Sequence, residues 1–520
     1  MPRQRLVVQL DPPHNTRGGD WLYRTFAPGR ALSAVDGVRV VNCDRLHRHA
    51  PRLLRAADVL VLNSVCDADL LPVLAERAAR GAVTVFEVSD DFGAIQPWNP
   101  IYAFFQSPAN VRLYKQLVRA SSGMQCTVAE LSRIYGHLGR QCRVFVNHLL
   151  EVPPPPSRDD AGPLVVGWGG SSGHREDIAL VAPALVRWVL ETPGVTLQLM
   201  CADSIWSLFA ALPDDRKART PTGGIGDYYR FVGGLDVGLA PLADTGFNRS
   251  RSDVKFVEYA AHGAVAVLQD LVPYQGAAED RVNARFFAAP DDLVTTLADL
   301  ARDPAQRARL RSAAYAKVAA ERRQSDHVAE RLAFYASLEA ATYTPTEDPT
   351  QLFDELRTWE GAEVVDRHAL LAHTAVERSL HDALVLSQQD QRHDDAKALL
   401  ADAARRSPSL DLPHLYAGSL YGDAAALQAA LARNPRSVNA LVALGRLAAT
   451  QGDPARALGH FVRALELAPT WDEPYVLAAQ VAAGLGATND ARALVGAAKS
   501  LAEALEAKPG VEASRSRTRS

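Results

Sequence analysis

Short apolar, β-branched runs punctuate the first 150 residues. LVVQL (6–10), VRVV (38–41), DVLVLN (58–63), VTVFEV (83–88), GMQCTV (123–128) and RVFVN (143–147) each predict a strand. Between several of them the apolar spacing becomes helical, as in ADLLPVLAERAARG, which closes on a glycine. Strands that alternate with helices predict a parallel sheet covered on both faces. The segment EVPPPPSRDDAGP breaks the pattern. Four consecutive prolines fit neither a helix nor a sheet interior, so it reads as a stiff, extended linker. A second alternating region follows, with strands predicted at LVVGWGG (164–170), VTLQLM (195–200), DVGLAPL (236–242) and AVAVLQD (264–270) and helices over 293–340.

Beyond about residue 375 strand signals vanish, and alanine and leucine dominate. The segment NPRSVNALVALGRLAATQGDPARALGHFVRALELAP resembles a tetratricopeptide repeat. Leu444, Gly445, Ala457, Phe461, Ala464 and Pro469 fall on its signature positions, and Pro435 precedes Pro469 by one period of 34 residues. Ala479, Ala491 and Ala498 continue the pattern, and Ala396, Leu400, Ala403 and Pro408 form a weaker upstream copy. Only 27 residues separate Pro408 from Pro435, so that unit is trimmed or irregular. A plain helical bundle is the alternative.

The expected fold class is therefore α/β, two doubly wound Rossmann-like domains followed by an all-α, tetratricopeptide-like repeat domain. The expected boundaries are 1–151 for the first domain, 152–162 for the linker and 163–343 for the second domain. A connecting segment takes 344–374, the repeats 375–507, and KPGVEASRSRTRS at the end a disordered tail over 508–520. A chain ending near Ala341 is expected to stay folded, with both α/β cores complete.

Composition changes this picture little. At 520 residues, 48% hydrophobic and 22% charged, the chain has the balance of an ordinary globular protein of about three domains. A net charge of −4 gives no case for nucleic acid as a partner. Five scattered cysteines, none spaced as CxxC, argue against a disulfide framework or zinc site and for a reducing cytoplasm. The N-terminal apolar run is too short for a signal peptide, and no run approaches a membrane span; peripheral membrane contact stays open.

Candidate chemistry gathers at the carboxyl ends of the two sheets, where doubly wound folds bind ligands. Gly18 and Gly19 follow the first strand. Gly167, Gly169, Gly170, Ser171, Ser172 and Gly173 follow the first strand of the second domain. Glycine turns before helices let backbone N–H groups approach a phosphate, although a tight turn with no ligand explains either one alone. In FNRSRSDVKFVEYAAHGAVAV (247–267), Arg251 and Lys255 lie one helical turn apart, and Glu258 three residues further on. Cations there suit a diphosphate, and a carboxylate suits the two hydroxyls of a ribose; a solvated helix with a Lys–Glu pair is the bland reading. Asp90 and Asp91 follow the fourth strand. They read as a loop cap, a sugar or acceptor contact, or a metal-binding pair. His14, beside DPPHN, reads as a loop residue before a base.

At these residues the sequence resembles the retaining GT-B glycosyltransferases of glycosyltransferase family 4. The likeness runs from residue 1 to about 340 and rests on RGGDWLYRTF, GWGGSSGHRED and LDVGLAPLADTGFNRSRSDVKFVEYAAHG. It implies transfer of a sugar from a nucleotide diphosphate sugar with retention of configuration, with no metal and no other cofactor. Glu258 then matches the glutamate that holds the donor ribose. Lys255 and Arg251 fall in the diphosphate region, and Gly18 and Gly19 on the loop that closes over the phosphates. The family's first glutamate, seven residues before the second, is replaced by Ser250, so Phe247 and Asn248 are expected to recognise the sugar. The usual basic pair is replaced by GGSSGHR, with His174 and Arg175 the nearest candidates.

The expected catalytic set is Asp90, Asp91 and Lys255. The expected donor set is Gly18, Gly19, Gly169, Gly170, Ser171, Ser172, His174, Phe247, Asn248, Arg251, Lys255 and Glu258, with no metal ligand. The expected partners are a nucleotide-sugar donor and, through the repeats, a protein partner or protein acceptor. The competing readings are a GT-B-like scaffold without turnover that binds through its repeats, and a nucleotide-sugar epimerase on the same fold.

Overall fold

A computed structural model describes residues 4–13, 18–139, 141–155, 157–158, 162–359, 361–389 and 392–507. His14, part of the proline-rich linker and the 508–520 tail lie outside the described residues.

The first domain holds β1 (Arg5–Asp11), β2 (Val38–Asp44), β3 (Val59–Asn63), β4 (Val83–Val88), β5 (Gly123–Cys126) and β6 (Cys142–Val144). The second holds β7 (Leu164–Gly169), β8 (Val195–Met200), β9 (Lys217–Thr220), β10 (Val237–Ala240), β11 (Val265–Gln269) and β12 (Arg285–Phe287). All of these pairings are parallel. In the second sheet the order β12-β11-β10-β7-β8-β9 reverses direction between β7 and β10; in the first it reverses between β1 and β3. Each reversal opens a crevice at the strands' carboxyl ends, and the two crevices face each other.

The chain does not leave the first domain where the sequence pattern suggests. Helix Val328–Ser337, expected to close the second domain, buries Phe334 and Tyr335 against Val7, Val59, Val61 and Val85 of the first sheet. The expected connecting segment is also structural. Helix Pro349–Leu356 puts Leu352, Phe353 and Leu356 into the first domain's core. β13 (Ala362–Val365) and β14 (His368–Leu371) form a hairpin, and β14 pairs parallel with β2. The first sheet therefore has eight strands.

The repeats are four helical hairpins, from Ala375–Ser387 with His393–Arg406 to Asp472–Gly484 with Thr488–Glu506. The trimmed unit appears as two short helices, Leu412–Tyr421 and Ala424–Arg433. Gly445 is small because a Cβ there would enter the Phe461 ring, so the signature pair is a packing requirement. The array is docked. Val438, Leu441, Val442, Trp471 and Leu505 share one core with Leu113 and Leu117 of helix Pro108–Ala120. Ion pairs Arg112–Asp472 and Lys115–Glu506 border it. Asp69 caps the start of helix Val438–Thr450, accepting from Asn439 N at 2.9 Å and Ser437 Oγ at 3.0 Å. A chain ended near Ala341 would lose the hairpin, three core side chains and this interface, so the first domain's core is not complete at that point as expected. Among the described residues no helix is long and apolar enough to cross a membrane.

Candidate functional site

The facing crevices form one cleft of about 780 Å³. Gly18, Gly19, Asp20, Tyr23, Arg24, Asp90 and Asn147 line it from the first domain. Ser171, His174, Tyr228, Arg251, Lys255 and Glu258 line it from the second.

Helix Val254–His262 buries Phe256, Val257 and Tyr259 and points Lys255 and Glu258 into the cleft one turn apart. Lys255 Nζ lies 3.8 Å from Glu258 Oε2 and donates to Gly169 O at 2.7 Å and to Tyr228 Oη at 2.6 Å. Burial, together with Arg251, pulls its pKa below the ordinary lysine value, against the opposing pull of Glu258. Glu258 Oε1 accepts from Tyr23 Oη and Oε2 from Tyr228 Oη, both at 2.9 Å, and the Tyr23 and Tyr229 hydroxyls are 2.9 Å apart. Tyr23 belongs to the first domain, so its bond to Glu258 crosses the cleft. A carboxylate offers about four acceptor positions, which leaves room for ligand hydroxyls beside the two phenols.

Arg251 lies over the Phe247 ring at 5.1 Å, and no carboxylate among the described residues forms an ion pair with it. It faces Asp90, which is part-buried. Burial raises the Asp90 pKa to about 6; Arg251 pulls it down, while Asp20 and Asp91 push it up. Arg24 is held by Glu87 at 2.8 Å, Asn147 Oδ1 at 2.8 Å and Phe145 O at 2.7 Å.

Several expected site residues do other work. Asp91 accepts from Gly93 N at 3.1 Å and Tyr135 Oη at 2.7 Å, capping a short 3-10 turn away from the cleft lining. Asn248 is fully buried, donating to Asp177 Oδ1 at 2.7 Å and Ala243 O at 2.9 Å, and Phe247 lies in the first domain's core cluster. Neither reaches the cleft to read a sugar. Ser250 is fully buried and donates back to Phe247 O at 2.8 Å. Gly169 and Gly170 are required by the fold, and Gly170 also lines the cleft. The Gly170 N–H donates to Met200 O at 3.1 Å, and a Cβ on Gly170 would meet Trp168 at 2.6 Å. Ser172 is exposed and does not line the cleft, whereas Gly170 and Ser171 of that turn do. At Gly18 and Gly19, by contrast, a Cβ would meet nothing within 4 Å. Protein packing does not call for glycine there.

Burial and the neighbouring Arg251 pull the His174 pKa below the ordinary histidine value, although Asp177 opposes them. Its Nδ1 is 2.7 Å from Asp177 Oδ2; in the neutral ring that contact places the proton on Nδ1 and leaves Nε2 as an acceptor. Tyr23, Tyr228, Tyr229, Arg24 and Asn147 are cleft-associated residues that sequence reasoning misses. The one available signal is the glycine turn PTGGIGDYYR after β9, whose Thr222, Gly223, Gly224 and Tyr228 line the cleft. Among the described residues no group of three or more His, Cys, Asp or Glu side chains is placed to hold a metal.

No family model matches the chain, and no curated protein matches it in sequence. Among solved structures it is similar to HepE from Anabaena, crystallised with UDP and glucose, at 15% identity and a TM-score of 0.48, over 64% of this chain and 100% of that one. It is similar to sucrose-phosphate synthase from Thermosynechococcus elongatus at 12% identity and a TM-score of 0.47, over 64% and 99% of the two chains. With TarM the identity is 9% and the TM-score 0.45, over 56% of this chain and 57% of that one, so the match spans little more than half of TarM.

Proposed function

We propose that this protein is a glycosyltransferase that moves a sugar from a nucleoside diphosphate sugar to an acceptor hydroxyl, with retention of configuration and without a metal. One observation carries the reading. Arg251, which has no carboxylate in ion-pair contact among the described residues, lies in the same cleft as Lys255 and Glu258 and as the open glycines Gly18 and Gly19. Cations for a diphosphate, a carboxylate for a ribose diol and glycines that leave room for phosphate oxygens are what such a donor needs.

In this reading the departing nucleoside diphosphate puts negative charge on its β-phosphate. Arg251 and Lys255 are already in place and lower the barrier by meeting that charge. The acceptor hydroxyl attacks from the face the leaving group vacates, and its proton passes to the departing phosphate. Asp90 faces Arg251 across the cleft and contacts the sugar or acceptor. His174 Nε2 accepts from a sugar hydroxyl. The repeats brace the acceptor-side domain; a protein partner or protein acceptor would have to use the surface left outside that interface.

Titration calorimetry against a panel of nucleoside diphosphates and their sugars tests this directly. Glu258→Ala and Lys255→Ala should each weaken binding at least about tenfold, since a hydrogen bond to a charged group contributes about 1.5–3 kcal/mol. Equal affinity in both variants and the parent would overturn the assignment. Nucleotide release in the presence of acceptor should survive excess EDTA; complete loss, restored by magnesium or manganese, would make Asp90 a metal ligand. A second reading, a scaffold that binds nucleotide without turnover, is favoured by Ser250, buried where the family's first glutamate would stand. Nucleotide binding with no release against any acceptor would select it.

A further inference from the structure

The link between helix Gly246–Arg249 and helix Val254–His262 carries Arg251 into the cleft, and its own domain is not all that fixes it. Ser250 donates back to Phe247 O at 2.8 Å. Ser252 Oγ accepts from Asn147 Nδ2 at 3.0 Å, and Asn147 lies just past β6, where the chain leaves the first sheet. Asp253 is held by Arg322, whose Nη1 also donates to Asn147 O at 3.1 Å. Arg251 itself rests over the Phe247 ring at 5.1 Å, a weak hold on a long side chain. Its aim therefore depends on the backbone from Ser250 to Asp253.

The direction of the Asn147 amide is set one step deeper. Its Oδ1 accepts from Arg24 Nη1 at 2.8 Å, so the amide nitrogen turns away from the guanidinium and toward Ser252. The reverse orientation would set two donors against each other. Arg24 is itself fixed. It is 2% exposed, and it donates through Nε and Nη2 to Glu87 Oε1 at 3.0 and 2.8 Å and through Nη1 to Phe145 O at 2.7 Å. Gln125 Nε2 donates to the other oxygen of Glu87 at 2.7 Å. An ion pair sunk this deep adds little stability over an apolar pair of the same volume, yet its geometry is closely defined. A chain of polar contacts thus runs from Glu87 on β4 through Arg24 and Asn147 to Ser252, the neighbour of Arg251. Glu87, Arg24 and Asn147 are buried, and Arg24, Asn147 and Ser252 line the cleft.

We propose that Asn147, oriented by Arg24, is a positioning residue for Arg251: from the first domain it fixes the cation that meets the diphosphate in the second. The proposal rests on the glycosyltransferase reading and deepens it, since the diphosphate site is then complete only with both domains in place. A loop already held in its bound form loses less freedom when the ligand arrives, so the contact raises affinity by acting through Arg251.

The test is titration calorimetry of the full chain with nucleoside diphosphates, alongside saturation-transfer NMR with the matching nucleosides. Asn147→Ala should weaken diphosphate binding about three- to tenfold, the loss expected of one hydrogen bond, and leave the nucleoside within about twofold. Ser252→Ala removes the other end of the same bond and should match it. It carries the test alone if Asn147→Ala fails to fold by circular dichroism. In Arg251→Ala, which itself binds the diphosphate more weakly, adding either change should lower affinity no more than about twofold further. Hydrogen exchange over residues 250–254 should quicken in both variants with no nucleotide present. Losses that add in full to that of Arg251→Ala would show that Asn147 acts elsewhere and overturn the proposal. An equal loss for the nucleoside, which marks a general disturbance of the cleft, would overturn it, as would unchanged exchange. A parent chain that binds no nucleoside diphosphate sinks the donor reading and the proposal with it. A parent that binds, with variants that bind equally well, sinks the positioning claim alone.

Discussion

Glu258 accepts from one tyrosine of each domain, and these partners explain what it can hold. Two tyrosine hydroxyls orient the carboxylate, and Tyr228 also takes a hydrogen bond from Lys255, so one phenol couples the proposed ribose and diphosphate positions. Tyr228→Phe should leave the fold intact and weaken nucleotide binding about tenfold, read by calorimetry. Asp90 makes a pH prediction. With its pKa raised to about 6, it gains its charge as pH climbs from about 5 to 7, and that charge opposes a diphosphate beside Arg251. The affinity for a nucleoside diphosphate sugar, whose diester has no proton to lose there, should fall over that interval, and Asp90→Asn should flatten the profile. A profile unchanged in Asp90→Asn would show that the carboxyl does not face the diphosphate. Arg251, Lys255, Glu258 and the Gly18–Gly19 turn were legible because charges at helical spacing and paired glycines are rare in a buried α/β element. Tyr23 and Tyr228 were not, because an aromatic residue in an apolar stretch reads as core until its hydroxyl partner is seen. Asn248 misled for the opposite reason. A polar side chain near a cleft can be turned to fixing a loop, here with its amide donor on Asp177 and Ala243.

Among the elements, the ten strands read from apolar runs are all strands in the structure. Those missed are marginal in pattern. β9 is KART, a polar edge strand; β12 is a three-residue RFF; β13 and β14 come from AEVV and HALL, short runs in a stretch without helical period. Edge strands lose one face or one neighbour, and with it the apolar signature. The hairpin matters because it extends the first sheet beyond β2, while helix Pro349–Leu356 plugs the core beside it. Phe353 is fully buried, so Phe353→Ala should cost about 3–5 kcal/mol of stability in denaturant unfolding, an effect far too large for a residue in a passive connector. A cost within about 0.5 kcal/mol, the range of a surface site, would return the segment to linker status.

At the scale of the whole molecule, the repeats are less an appendage than a brace. Their periodicity was readable, because a repeat's signature lies within one hairpin, but their docking was not, because it joins residues more than 300 positions apart. Arg112 to Asp472 and Asp69 to Asn439 are such pairs. The interface buries Val442 and Trp471 among leucines of helix Pro108–Ala120, and it caps helix Val438–Thr450 with a carboxylate from the other domain. Docking of this kind holds the first domain while leaving Lys255, Glu258 and Arg251 untouched, since all three sit on the opposite wall. Val442→Asp with Trp471→Asp should therefore release the array. An unpaired charge forced into an apolar interface costs several kcal/mol, more than a docked surface of this kind can absorb. Small-angle scattering should show a larger radius of gyration and limited proteolysis a new cut between the hairpin and the repeats, while nucleotide affinity stays within about twofold of the parent. If affinity collapsed together with the docking, the brace would extend across the cleft, and the separation between a braced first-domain wall and an independent second-domain wall would have to be given up.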